Sequence, residues 1–407
     1  MQNIEVQAAP AVVMQTKLGE KGFIAFIAFL GAFIPLSTDI YLPALPSMVE
    51  HLDTTPTLIN LTIIFFFIFY ALGTLFWGPL SDKFGRKPVL LVGLLFYSAA
   101  SFFCIFAGDI YALIVFRILQ AIGCGSATAI SNAIIKDSFV GEKRGKILAI
   151  VQSLSTTSPI VSPVLGAFIL GITTWRGIFI VLAFIGLISV IGTLLMDETL
   201  QHRSEGNLLV TMKKLGGALQ NKSLMYLLIT FSLIQIAFMS FITASSYIYV
   251  DGFGVSEKVY SLYFSANAVF LMLGPMVYIQ ASKHVNYRIL IRVCYSVVAI
   301  SGLMILLFGK TGPLIFFLAL FPASLFGSMV NPIRMNLMIE QVPHDMGAAS
   351  SVIMCTITLF GAIGMLIISS DVINRVILLG ILYLAMGIAS LSAWLIVSRL
   401  PIIKHLD

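Results

Sequence analysis

The chain is poor in charge. Only 10% of its 407 residues are Asp, Glu, Lys or Arg, against roughly 25% in a soluble domain. Apolar residues make up 59%, so a water-soluble globule is excluded. Four cysteines (Cys104, Cys124, Cys294 and Cys355) stand singly in apolar stretches without a CxxC pair, which excludes a disulfide framework and a thiolate metal centre. The five histidines, His51, His202, His284, His344 and His405, fall in loops or at segment ends. An intramembrane enzyme needs a nucleophile and base, or a metal cluster, at depth. Neither pattern occurs, so no enzyme, metal or cofactor is expected. There is no ring of like charges or repeated filter sequence to make a channel. The net charge of +6 concerns topology rather than nucleic acid.

What remains is a series of long apolar runs. Twelve occur, at 22–46, 57–78, 88–107, 110–135, 147–171 and 176–196, then 223–250, 259–280, 289–309, 313–338, 347–369 and 372–397. A spanning helix takes about 20 apolar residues, so twelve need about 240 positions. Barrel strands would be about ten residues long and alternate in polarity, whereas Leu58 to Phe76 is almost continuously apolar. The expected fold is therefore all-α: twelve transmembrane helices in two six-helix bundles. The expected divisions are a tail at 1–21, a first bundle at 22–196, a central loop at 197–222, a second bundle at 223–397 and a tail at 398–407. The first run is too long for a cleaved signal and lacks a small-residue cleavage pattern, so retention is expected.

Placing the N-terminus in the cytoplasm puts nineteen of the 24 Lys and Arg residues on the inner side, Arg334 counted among its loops, and four on the outer side. Arg117 lies within a segment. This bias predicts cytoplasmic termini. Parallel half-repeats place a substrate site near the midplane, between the halves.

Ionisable groups at lipid depth are expensive enough to be functional by default. Asp39 lies in the outer half of the first segment and Arg117 at comparable depth in the fourth, where a direct or water-mediated interaction can form. A carboxyl there can change protonation as a cavity opens and closes to water, as a proton-coupled carrier requires. The alternative is that Asp39 only marks an interfacial end before Pro43 and Pro46. In the fourth segment Arg117, Gln120, Cys124, Thr128 and Ser131 share one helical face. Gln235, Met239, Thr243 and Ser246 form a second stripe, Tyr263 and Asn267 a third, and Ser324, Ser328 and Asn331 a fourth. Each stripe either lines a cavity or joins helices by hydrogen bonds. With Tyr70 and Tyr247 they would make a mostly apolar, adaptable pocket for small lipophilic molecules.

The loop Gly78-Pro79-Leu80-Ser81-Asp82-Lys83-Phe84-Gly85-Arg86-Lys87-Pro88 is the most specific local pattern. Gly85 permits a tight turn, Pro88 suits a helical first turn, and Asp82 can pair with a base. It resembles the signature between helices two and three of the major facilitator superfamily. Arg117-Ile118-Leu119-Gln120-Ala121 resembles that family's fourth-helix basic motif, with Ala121 where Gly is usual. Ser158-Pro159-Ile160-Val161-Ser162-Pro163-Val164-Leu165-Gly166 resembles its antiporter motif. Ser37-Thr38-Asp39-Ile40-Tyr41-Leu42-Pro43, with Asp197-Glu198-Thr199-Leu200 and Gly347 to Ser350, is similar to the bicyclomycin and chloramphenicol resistance branch of the drug:proton antiporters.

The resemblance implies a monomeric inner-membrane exporter whose partners are a small lipophilic substrate, protons and the bilayer. Asp39 would accept the proton and form a wall of the drug site, with Arg117 as its electrostatic partner. Gly78, Asp82, Gly85, Arg86 and Lys87 would belong to a cytoplasmic latch between the halves. Pro159, Ser162, Pro163 and Gly166 would shape helix five. Pocket apolarity does not distinguish a drug from an endogenous metabolite such as a sugar derivative, peptide or siderophore, so a metabolite exporter is the alternative.

Overall fold

A computed structural model describes residues 15–201, 216–217, 219–342, 346–370 and 373–404; side chains are not described at 346–348. The expectations for residues 1–14, for 202–215 of the central loop, and for His202, His344 and His405 lie outside the described residues. Among the described residues, twelve spans follow one another, the bent first pair taken as one. The first, α1, is a bent pair of segments, Gly19–Gly31 and Phe33–His51, set at 50°. It is followed by α2 (Pro56–Phe84), α3 (Arg86–Ile105), α4 (Ile110–Ser138), α5 (Gly141–Leu170) and α6 (Trp175–Leu195). The second set is α7 (Lys222–Ser246), α8 (Glu257–Ala281), α9 (Tyr287–Phe308), α10 (Pro313–Glu340), α11 (Met346–Ile368) and α12 (Arg375–Val397). A π turn at Tyr247–Gly252 prolongs α7.

Helix starts follow capping chemistry. Asp109 accepts bonds from the N–H groups of Tyr111 and Ala112 at 2.8 and 2.9 Å. Thr55, Asn221, Ser256, Asn286 and Asn374 cap α2, α7, α8, α9 and α12 in the same way. Each satisfies backbone donors that the first helical turn leaves free.

Two expectations are corrected. The first run is not one continuous helix. Its prolines remove backbone donors, and after Asp39 the chain tightens into a 3₁₀ turn at Leu42–Ala44. The stretch from Gly78 to Phe84 is helix rather than loop. The turn is confined to Gly85, whose φ of 108° lies where glycine alone is comfortable.

The packing repeats with a six-helix offset. In the first half α2 packs on α4, α3 on α4 and α6, and α1 on α5. In the second half α8 packs on α10, α9 on α10 and α12, and α7 on α11. Small residues mark equivalent points. A Cβ at Gly166 of α5 would overlap the Ile40 carbonyl of α1, and one at Gly364 of α11 would overlap the Ile236 carbonyl of α7. Across the halves α5 meets α8 and α2 meets α11. Outer faces of α3, α6 and α9 present Phe102, Phe184 and Leu307 at 51, 63 and 61% exposure, a distribution stable only against lipid.

Candidate functional site

The site begins with the defect in α1. In a continuing α-helix the Tyr41 N–H would bond to the Ser37 carbonyl. Here it turns to the Thr38 carbonyl at 3.3 Å, and Leu42 N–H turns to that of Asp39. The Ser37 carbonyl is released, and Arg117 Nη1 donates to it at 3.1 Å. The same nitrogen donates to Gln120 Oε1 at 2.6 Å, and Gln120 in turn donates to Ser101 at 2.7 Å. The guanidinium lies 4.3 Å from the Phe66 ring centroid and 4.9 Å from that of Tyr41. Arg117 thus holds the broken backbone in an aromatic cage. It forms no ion pair with Asp39 among the described residues. The link to the Asp39 segment runs through the backbone, by way of the freed carbonyl two residues before Asp39.

Asp39 is 6% exposed. Its Oδ1 accepts the Thr38 hydroxyl at 2.9 Å. It faces a cavity of about 200 Å³ whose other walls are chiefly α7, α8 and α10 of the second half. Of the residues singled out in the sequence, Gln235, Met239, Asn267 and Asn331 line it, with Pro159 of α5. Phe238, Phe241 and Phe264 supply aromatic walls, and Asn267 accepts the Ser324 hydroxyl at 2.7 Å.

Other candidates lie elsewhere. Tyr70, Thr128 and Gly78 line a second cavity of about 430 Å³, between α2, α4 and α5 on one side and α10 and α11 on the other. Gln120 and Cys124 are buried inside the first half. Thr243 is buried on its own helix, with its hydroxyl 3.4 Å from the Met239 carbonyl. Tyr247 sits beneath Arg375 beyond the cavity, and Tyr263 stacks on Tyr249 at 4.9 Å. A stripe fixes a helix face, but the cavity covers only part of that face's length, so these residues share a face without sharing the site.

Sequence reasoning missed Arg334. The charge count places it in an inner loop, yet it lies six residues inside the end of α10 and lines the Asp39 cavity. The signal was present: Arg334 is the next step of the stripe Ser324, Ser328, Asn331.

At the Gly85 turn, Arg86 pairs with Asp82 and, through Nε, with Asp137 at 2.8 Å. Glu198 accepts the N–H groups of Arg86 and Lys87 at 3.0 and 3.1 Å, where a helix start favours a carboxylate. All these partners belong to the first half or the segment after α6. The expected latch between the halves makes no such contact to the second half among the described residues. The Arg86 side chain is 6% exposed, so Arg86→Ala is expected to leave two carboxylates uncompensated at a cost of about 2–3 kcal/mol. A thermal unfolding curve of the purified protein checks this; an unchanged midpoint would contradict it.

The exposed Asp197 carboxylate accepts the backbone N–H and hydroxyl of Thr16 at 2.6 and 2.8 Å. The backbone bond, then the hydroxyl bond, hold it below the usual carboxylate range. This tie is therefore fully present above the ordinary Asp value of about 3.9 and lost as pH falls through the lower folded value. A fluorophore pair at positions 17 and 200 should stay close until that acid range, and Asp197→Ala, which removes the acceptor for Thr16, should move it apart at neutral pH.

Hydrogen bonds between the halves, among the described residues, lie at mid-depth or away from the basic Gly85 end. Thr57 donates to the Ser369 carbonyl at 2.8 Å and Ser265 to that of Ile160. The larger cavity lies toward the basic end.

The family model described as Major Facilitator Superfamily matches residues 23–365. The chain belongs to this superfamily. It is a multi-pass membrane transporter and not an enzyme. Within the superfamily it is 26% identical over 349 residues to the uncharacterized MFS-type transporter YdgK of Bacillus subtilis (strain 168), covering 84% of this chain and 86% of that one. It is 27% identical over 286 residues to the chloramphenicol resistance protein CraA of Acinetobacter baumannii, covering 69% and 66%. It is 23% identical over 290 residues to a bicyclomycin resistance protein homolog of Haemophilus influenzae, covering 70% and 72%. Among solved structures, a peptide transporter POT superposes with a TM-score of 0.78 at 13% identity, over 97% of this chain and 99% of that one. A D-xylose-proton symporter superposes at 0.70 and 15% identity, over 93% and 97%. These two establish the shared fold.

Proposed function

We propose that this facilitator exports small lipophilic compounds from the bacterial cytoplasm in exchange for protons, as a monomer in the inner membrane. The observation that carries this reading is Asp39, a nearly buried carboxyl at a helix break on the wall of a cavity otherwise built largely by the second half. Resistance to chloramphenicol or bicyclomycin in the names of related proteins supports a drug-like cargo. The charge bias puts the basic end and both termini in the cytoplasm. On that orientation the conformation described here opens inward.

The spans at 22–196 and 223–397 act as two rocking bodies joined by 197–222. Cargo enters from the cytoplasm, lies against Phe238, Phe241 and Phe264, and favours loss of the Asp39 proton to the inner side. The halves then rock about α5–α8 and α2–α11. A periplasmic proton reaches Asp39, cargo leaves, and the neutral carboxyl permits return. Thr38 holds the carboxyl and Arg117 fixes the backbone beneath it, so proton transfer occurs at a constant place. Asp82, Arg86 and Lys87 latch the cytoplasmic side in the outward state. The test is transport in vesicles of purified protein under an imposed pH gradient, with an amphenicol, a sulfonamide and a cationic dye. The reading expects protonophore-sensitive uphill movement of at least one. Downhill leakage alone, insensitive to the gradient, would overturn it.

A further inference from the structure

The cavity that holds Asp39 also holds a cation that the exchange scheme does not use. Arg334 lies on α10 six residues before Glu340, about 9 Å of helix from its end. It lines the same cavity as Asp39. It forms no ion pair among the described residues. The group that faces it electrostatically is Tyr295 of α9, whose buried hydroxyl has no hydrogen-bond partner among the described residues. Asp39 is no substitute partner: the two form no ion pair, and the Asp39 carboxylate accepts the Thr38 hydroxyl instead.

A guanidinium kept in an apolar cavity without a counter-ion is costly, and intramembrane cations of this kind mark substrate pathways. Its planar fork matches a carboxylate, sulfonate or phosphate through two parallel bonds. The same cavity is lined by Phe238, Phe241, Phe264 and Met239, which suit a flat apolar body. We propose that Arg334 is a specificity residue, and that the favoured cargo is an amphiphile whose anionic group seats on Arg334 while its apolar body lies along the phenylalanines. This deepens the export reading above and rests on it for the direction of movement.

The test is binding to the purified full chain of three matched probes, naphthoate, naphthamide and naphthylmethylammonium, by calorimetry. Naphthoate is expected to bind roughly tenfold or more tighter than naphthamide, the span of a charge-assisted bond, with the cation weakest. Arg334→Gln should bring naphthoate and naphthamide to within about twofold of each other. Arg334→Lys, which keeps the charge but not the fork, should weaken naphthoate alone and only in part. A wild-type protein without preference for naphthoate, or one that binds none of the three, would overturn the proposal. So would Arg334→Gln with the preference intact. Should that variant not fold, an equal fall for naphthoate and naphthamide in Arg334→Lys is the contrary result. Binding needs no proton gradient, so a failure of proton coupling in vesicles leaves this ranking readable and the two failures separate.

Discussion

Asp39→Asn is expected to abolish uphill export while leaving the protein folded. One proton moved through 100 mV supplies about 2.3 kcal/mol, which sustains roughly a fortyfold gradient of a neutral cargo exchanged one for one. Asparagine keeps the size of the side chain and accepts the Thr38 hydroxyl, but it has no titratable group to take up and release a proton. For a neutral cargo the accumulation ratio should therefore fall from about fortyfold toward unity. Exchange of cargo down its own gradient is the step that does not need the proton. Vesicle uptake with and without a pH gradient reads both quantities. Persistent gradient-driven accumulation in the variant would remove Asp39 from the mechanism.

The second large effect is expected from a single methyl group. Gly166→Ala places a Cβ on the carbonyl oxygen of Ile40, the residue after Asp39. Backbone cannot move aside as a flexible side chain can, so α5 and α1 must separate. Overpacking costs about 1–3 kcal/mol, and here the displacement falls on the helix break that presents the carboxyl. Transport should fall by about tenfold or more, since small misplacements at a reacting group are that expensive. Gly364→Ala creates the equivalent overlap with Ile236 on α7, next to Gln235 of the cavity wall, and should lower transport as well. Gly108→Ala, with nothing within 4 Å, should be silent. If Gly166→Ala transports at the wild-type rate, the close approach of α5 to α1 has no functional weight.

Much of the fold is legible in the chain because a bilayer imposes a strict rule. Each span must be long, apolar and internally hydrogen-bonded, so runs such as 176–196 read directly as helices. Asp39 and Arg117 were legible for the complementary reason, since charge at that depth is rare. The manner in which they communicate was not. It depends on which carbonyl the 3₁₀ turn after Asp39 releases, and a propensity pattern does not encode that choice. The stripe on α4 illustrates the other limit. Gln120 and Cys124 share the face of Thr128 but are covered inside the first half, whereas Thr128 reaches the second cavity. Arg334 falls inside the run 313–338, and counting it with the inner loops for the charge bias hides a cation that the helix, which continues to Glu340, carries to the cavity.

The central claim is that cargo and proton compete through one carboxyl. The most direct measurement is proton release from purified, detergent-solubilised protein on addition of a transported compound, followed with a pH-sensitive dye in weak buffer. The account predicts release that saturates with cargo binding in the wild type and vanishes in Asp39→Asn while that variant still binds the compound. Equal release from both proteins, or binding by the wild type with no proton released at any pH between mild acid and mild alkali, would contradict it.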